Sequence, residues 1–143
     1  MNIYFEGPAS GAVAVPADPE KLGIVVTNLL DNAIKYNVPN GQVVVRAEKL
    51  PDRPYVQISI KDTGMGIPKE DIGKLFTKFF RSGNMMHKAT TGSGLGLYIV
   101  KNIIRRHGGE IWVESELDRG TTFYFTLPTD SALIPPKELI YGE

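Results

Sequence analysis

The chain has 143 residues, 42% of them hydrophobic, with 16 Lys plus Arg against 16 Asp plus Glu and no cysteine. That length supports one domain with a real core rather than two. Balanced charge gives no net field toward nucleic acid or an anionic membrane, and the missing thiols exclude disulfides, thiolate metal sites and a cysteine nucleophile.

No apolar run approaches the roughly 18 residues of a membrane span, and the N-terminus lacks the basic-then-apolar signature of a secretory signal. The expectation is a soluble, cytoplasmic domain without membrane contact. MNIYFEG admits two readings, a protease-site remnant and an edge strand around IYF. In ADPEKLGIVVTNLLDNAIKYN, Asp18 is placed to cap a helix and Pro19 to take its first position. Leu22, Val25, Val26, Leu29, Leu30, Ala33 and Ile34 follow at helical spacing. VPNG breaks that helix. VVVRAEKL then reads as a strand, PDRP as a turn, and YVQISIK as a second strand with Val56, Ile58 and Ile60 alternating.

DTGMGIP is a loop. Behind Pro68, KEDIGKLFTKFFR sets Ile72, Leu75, Phe76, Phe79 and Phe80 on one stripe, which predicts a helix through Arg81. Residues 82–93 show no periodicity. GSGLG then opens a helix through Val100, Ile103 and Ile104 that closes at His107, Gly108 and Gly109. His107 at that helix end suits a charge-complementing role. EIWVESE and TTFYFTLP, joined by LDRG, read as a hairpin. The order predicts an α+β fold: a two-layer sandwich with helices on one face of a mixed, largely antiparallel sheet.

Three stretches could carry chemistry. Asn28, Asn32 and Lys35, spaced by four and three, share one helical face. An amide oxygen there can ligate Mg²⁺, the ammonium can meet a phosphate, and the second amide can orient water. A solvated helix face is the plainer reading, weakened by Leu29, Leu30, Ala33 and Ile34 around the stripe. Asp62 ends an alternating strand beside Gly64 and Gly66, where its carboxylate can accept from an exocyclic amine. An Asp-Thr-Gly turn is the plain alternative. DTG is also the catalytic triplet of aspartic proteases, whose homodimers pair two such aspartates around one proton. Lys61 speaks against that reading, because an adjacent cation would keep Asp62 ionised. Gly92, Gly94 and Gly96 bring bare backbone to a helix start, whose unpaired N–H groups suit a phosphate chain.

NLLDNAIKY, DTGMGIP, KLFTKFFR and TGSGLGLYIVK, in this order, resemble the N, G1, F and G2 boxes of the ATP-binding catalytic domain of sensor histidine kinases. That family belongs to a superfamily with type II topoisomerases, heat-shock chaperones and mismatch-repair ATPases. The resemblance runs from about residue 18 to 128 and includes HGGEIWVESE and GTTFYFTLP. Neither GxxxxGK[ST] nor GxGxxG is present.

The resemblance implies a Bergerat-type fold across 1–143, with a core over about 18–128, an ATP lid at 82–93 and a peripheral tail at 129–143. It implies ATP and Mg²⁺ as cofactors. Asn32 would ligate the metal with Asn28 as polar neighbour. Lys35 and Tyr36 would lie near the phosphates and ribose. Asp62 would accept the adenine amino group, with Gly64, Gly66 and Ile67 at the base. Gly92, Gly94, Leu95 and Gly96 would meet the phosphate chain, Arg81 the terminal phosphate, and Thr121 or Thr122 the adenine pocket. Phe76, Phe79 and Phe80 would be core anchors for the lid.

Hydrolytic superfamily members carry a glutamate at the Asn28 position, and an amide cannot be a general base. Attack by water should be slow, and the γ-phosphoryl kept for a histidine. Neither His87 nor His107 resembles the family's acceptor. The implied partners are therefore a separate dimerisation and histidine-phosphotransfer hairpin and a downstream response regulator, with no nucleic acid and a monomer in isolation. The alternatives are a superfamily ATPase or nucleotide switch, an anti-sigma-type protein serine kinase and, remotely, the homodimeric aspartic protease.

Overall fold

The computed structural model describes residues 1–9, 11–78, 80 and 96–136. Arg81, the lid segment 82–93 with His87, Gly92, Gly94, Leu95, Phe79 and the tail beyond residue 136 lie outside the described residues. In chain order the elements are β1 (Asn2–Glu6), α1 (Pro19–Lys35), β2 (Gln42–Lys49), β3 (Tyr55–Asp62), α2 (Lys69–Ile72), α3 (Gly96–Arg106), β4 (Ile111–Glu116) and β5 (Gly120–Pro128). The strands form one sheet in the order β1-β2-β3-β5-β4. β1 runs parallel to β2 and every other neighbour is antiparallel. This is the mixed α+β sandwich expected from the element order.

α1 begins where its signals lie. The Asp18 carboxylate accepts from the N–H groups of Glu20 and Lys21, a cap worth about 1 kcal/mol. Its buried face, Val25, Leu29 and Ala33, packs with Leu97, Val100, Ile103 and Ile104 of α3 against Val43, Ile60, Phe123 and Phe125 of the sheet. Strand alternation fixes which residues join them. Val43, Asp62 and Thr121 stand side by side across three strands, in the same parity as Ile60 and Phe123. A carboxylate therefore ends β3 on the apolar, helix-covered side. Lys61, paired with Val44 and Thr122, has the opposite parity.

Two expectations change and one open reading is resolved. The helix predicted over KEDIGKLFTKFFR is four residues long, and a chain of tight turns succeeds it. Lys74, Leu75, Thr77 and Phe80 donate their N–H groups to carbonyls three residues back. Gly73 sits where the helix stops, and i→i+3 bonding still brings Leu75, Phe76 and Phe80 to the core. The apolar spacing thus reports a buried side of successive turns. Second, IYF is a strand: β1 adds a parallel edge to β2, joined at its end by the Glu6–Arg46 ion pair at 2.9 Å.

The third concerns His107, which is buried rather than charge-complementing. Its Nε2 accepts from the Asp18 N–H at 3.1 Å while Nδ1 lies 2.8 Å from the Ile103 carbonyl. An accepting Nε2 and a donating Nδ1 define a neutral imidazole. This residue ties the C-terminal end of α3 to the N-cap of α1. Because Gly96, at the other end of α3, meets Asn28 within α1, the two helices run antiparallel.

Candidate functional site

One end of the sheet opens into a narrow cleft lined by Asn32, Tyr36, Asp62, Met65, Gly66, Ile67, Thr121 and Phe123. Its polar centre is Asp62. Both the Gly64 N–H, at 2.8 Å, and the Thr121 N–H, at 3.2 Å, donate to Oδ1. Among the described residues Oδ2 takes no hydrogen bond, so it is left to the cleft. Asp62 is 7% exposed, and burial pushes its carboxyl up from 3.8 to about 6 against the lowering effect of those two N–H groups. Lys61 does not hold it ionised as the sequence suggests, because adjacent strand residues face opposite sides. The carboxylate stands ready for a hydrogen-bond donor that would favour its charged form.

The walls around Asp62 are interlocked backbone. A Cβ on Gly64 would collide with the Tyr36 carbonyl at the end of α1. One on Gly66, at φ +75°, would strike the Glu116 carbonyl, and one on Gly120, at φ +129°, would strike the carbonyl of Asp62 itself. These two positive φ values are ones that L side chains rarely adopt. Two further bonds hold the loop between helix and hairpin: Met65 donates its N–H to the Tyr36 carbonyl at 3.1 Å and accepts from the Asp118 N–H at 2.9 Å. Gly64 and Gly66 thus make room for the chain's own carbonyls. Phe123 forms part of the apolar wall, held edge-on by Phe76 at 6.2 Å and 81°.

The other functional face belongs to α1. Asn32 reaches the cleft, and among the described residues its carboxamide makes no hydrogen bond, which leaves its oxygen to a ligand. Asn28, one turn earlier, donates from Nδ2 to the Ile24 carbonyl at 2.8 Å. Its Oδ1 lies 2.8 Å from where a Cβ on Gly96 would stand. Gly96 thus marks a close approach of the two helices, where an added Cβ would displace only the end of the Asn28 side chain. Lys35 is exposed in the last turn of α1 and does not line the cleft.

Of the sequence candidates, Asn32, Tyr36, Asp62, Gly66, Ile67 and Thr121 come together in the cleft, with Gly64 beneath them. Thr122 faces the opposite side of the sheet. Met65 and Phe123, which also line the cleft, and Gly120 and Ser115, which support it, are residues the sequence reading missed. DTG-Met-Gly was a visible signal for Met65, whereas Gly120 and Ser115 act through contacts with residues 48 to 58 positions away, as the Ile67–Ser115 bond shows.

Among the described residues no three His, Cys, Asp or Glu side chains gather as a metal site, and no helix is long and apolar enough to cross a membrane. The donor set nevertheless fits a magnesium nucleotide. Mg²⁺ commonly takes one or two protein oxygens and completes its shell with phosphate and water, which a single unpaired Asn32 oxygen can serve.

Residues 17–131 match the family described as histidine kinase-, DNA gyrase B-, and HSP90-like ATPase. The chain is 40% identical over 114 residues to the sensor histidine kinase WalK of Bacillus subtilis, covering 80% of this chain and 19% of that protein's length. Among solved structures it is similar to the mycobacterial sensor histidine kinase MprB, with a TM-score of 0.73 at 37% identity over 88% of this chain and 83% of that one. It is also similar to the histidine kinase ThkA in complex with the response regulator protein TrrA, with a TM-score of 0.71 at 30% identity over 91% of this chain and 34% of that one.

Proposed function

The chain belongs to the histidine kinase-, DNA gyrase B-, and HSP90-like ATPase family, and from that premise we propose that it is the phosphoryl-donor domain of a two-component sensor kinase. It spans only about a fifth of WalK, so the acceptor histidine is assigned to a separate dimerisation hairpin. The reading rests on one observation above others: a buried Asp62 with Oδ2 open to a cleft that also receives Asn32.

When bound, Mg-ATP supplies the γ-phosphoryl group that is transferred. The chain's own work is placement. Asp62 Oδ2 would accept from the exocyclic amine of the base, and Ile67 and Phe123 would give the pocket apolar cover. Asn32 would offer its amide oxygen to the metal, and Lys35, at the exposed end of α1, would be available as a cation for the phosphates. Arg81, Gly92, Gly94 and Leu95 complete the phosphate side in this proposal. Asn28 has an amide where a base would need a carboxylate, and that amide already donates to the Ile24 carbonyl. Water is therefore not activated at this position, and positioning with electrostatics leaves the phosphoryl group to an incoming imidazole. Relatives also support a response regulator as downstream partner, since ThkA is seen with one.

The test combines γ-labelled ATP, Mg²⁺ and this chain with a separately produced histidine-bearing hairpin of a close relative. The expected product is an acid-labile, base-stable label on the hairpin and little free phosphate without it. An acid-stable label on a protein substrate would move the chain to the serine-kinase reading, and rapid phosphate release without any acceptor would move it to the ATPase reading.

A further inference from the structure

Ser115, on β4, reaches under the cleft and makes three short contacts with one oxygen. Its Oγ lies 2.8 Å from the Ile67 nitrogen, 2.9 Å from the Gly120 carbonyl and 2.8 Å from Thr121 Oγ1. A hydroxyl has one proton and two accepting directions. The Ile67 N–H can only donate and the Gly120 carbonyl can only accept. Ser115 must therefore accept from Ile67 and give its single proton to Gly120. The remaining contact is attractive only if Thr121 donates to Ser115, because otherwise two lone pairs face each other at 2.8 Å.

This proton count reaches the cleft. Thr121 lines it and is 7% exposed. With its hydroxyl proton held by Ser115 and its N–H given to Asp62 Oδ1, Thr121 has only lone pairs to turn toward a ligand. Asp62 Oδ2 beside it is also an acceptor. We infer that Ser115 is a specificity-setting positioning residue: by drawing the Thr121 proton away from the cleft, it makes Thr121 Oγ1 and Asp62 Oδ2 a two-acceptor floor that takes a purine with a 6-amino group and rejects one with a 6-oxo group. One exocyclic amine carries two N–H donors and can meet both acceptors. A carbonyl at the same position meets lone pairs on both sides. This inference rests on the nucleotide-binding reading above.

ATP and inosine triphosphate differ at the purine 6-position, with the accompanying proton on N1, and share the same sugar and phosphates, so their ratio of affinities isolates the floor. Titrations of both, with Mg²⁺, are made on the wild-type chain and on Ser115→Ala, Thr121→Val and the double variant. In Ser115→Ala the Thr121 hydroxyl is released to rotate and donate to a 6-oxo group. The preference for ATP should fall about five- to tenfold, the scale of one hydrogen bond. Thr121→Val keeps the shape, removes the hydroxyl and should lower the preference similarly. The double variant should fall no further than Thr121→Val alone, since Ser115 acts through that hydroxyl. An unchanged ratio in Ser115→Ala, or additive losses in the double variant, overturns the inference. Should Ser115→Ala not fold, full discrimination retained by Thr121→Val overturns it equally. If the wild type binds neither nucleotide, the nucleotide reading itself falls and takes this inference with it; if it binds both equally, that reading stands and only the two-acceptor floor is lost.

Discussion

The two sides of the cleft are built from different materials. Around Asp62 the geometry is made by main chain: carbonyls of Tyr36, Glu116 and Asp62 occupy the spaces where Gly64, Gly66 and Gly120 lack a Cβ. Along α1 it is made by side chains, with Asn32 and Tyr36 lining the cleft from the end of a helix whose packing depends on Val25, Leu29 and Ala33. None of the three glycines can take a side chain without moving a helix end or a hairpin. The polar side chains of α1 can be changed while its buried face stays intact. Substitution at those glycines should therefore act through folding, whereas substitution of Asn32 should act through binding alone.

Gly120→Ala should show the largest effect. Strain at φ +129° and collision with the Asp62 carbonyl together predict a loss of about 3 kcal/mol or more, read from the denaturant midpoint at constant m-value. Stability near wild type would mean the hairpin can move away from Asp62, and the contrast between the two sides would lose its basis.

Asp62→Asn sharpens the comparison because it should stabilise the fold while weakening the site. With the carboxyl raised from 3.8 to about 6, the folded state favours the protonated form. That contribution to stability is fully present below about pH 3.8 and is lost as pH rises through about 6. At neutral pH the buried charge costs about 2–3 kcal/mol by the usual 1.36 kcal/mol per pKa unit. The amide should recover much of this cost, raising Tm at pH 7 with a gain that disappears near pH 4. Adenosine affinity of the wild type should conversely fall as pH drops below about 6, because the amine prefers the ionised carboxylate. Thermal melts from pH 4 to 8 and adenosine titrations at pH 5 and 7 check both signs.

Asn32→Ala should separate binding from folding. Stability should change by no more than about 1 kcal/mol, while the enhancement of nucleotide affinity by Mg²⁺ falls at least about tenfold. Titrations with and without Mg²⁺ measure it, and an undiminished enhancement would assign the metal to another oxygen. The smallest effect is expected at Gly23, inside α1 with nothing within 4 Å of an added Cβ. Gly23→Ala should stabilise by about 0.5–1 kcal/mol, seen as a small rise in Tm with nucleotide affinity unchanged.

Local signals made much of this legible. Asp18 and Pro19 mark the start of α1, the alternation in YVQISIK marks β3, and Asp62 beside two glycines marks the cleft. What stayed hidden depends on partners distant in sequence. Thr121 and Thr122 are equivalent until the register Asp62↔Thr121 fixes which one shares the carboxylate's face. Ser115 looks like an ordinary strand serine until Ile67, 48 residues earlier, donates to it. KEDIGKLFTKFFR misled because three-residue turns and a helix leave nearly the same apolar stripe, and Gly73 alone did not signal the change. β1 stayed one of two readings because its partner lies 40 residues on and parallel pairing leaves no turn between them.

The bond between His107 and the Asp18 amide has a mechanical corollary. It pins α3 to α1 at the end away from the cleft, and α3 reaches back from that pin for about 16 Å at 1.5 Å per residue. A rod fixed at one end amplifies rotation at the other. A tilt of only about 5° about His107 carries Gly96 through roughly 1.5 Å, half the length of a hydrogen bond. The imidazole is then a fulcrum, and the distance between Gly96 and the Asn28 amide is the gauge on which its setting is read.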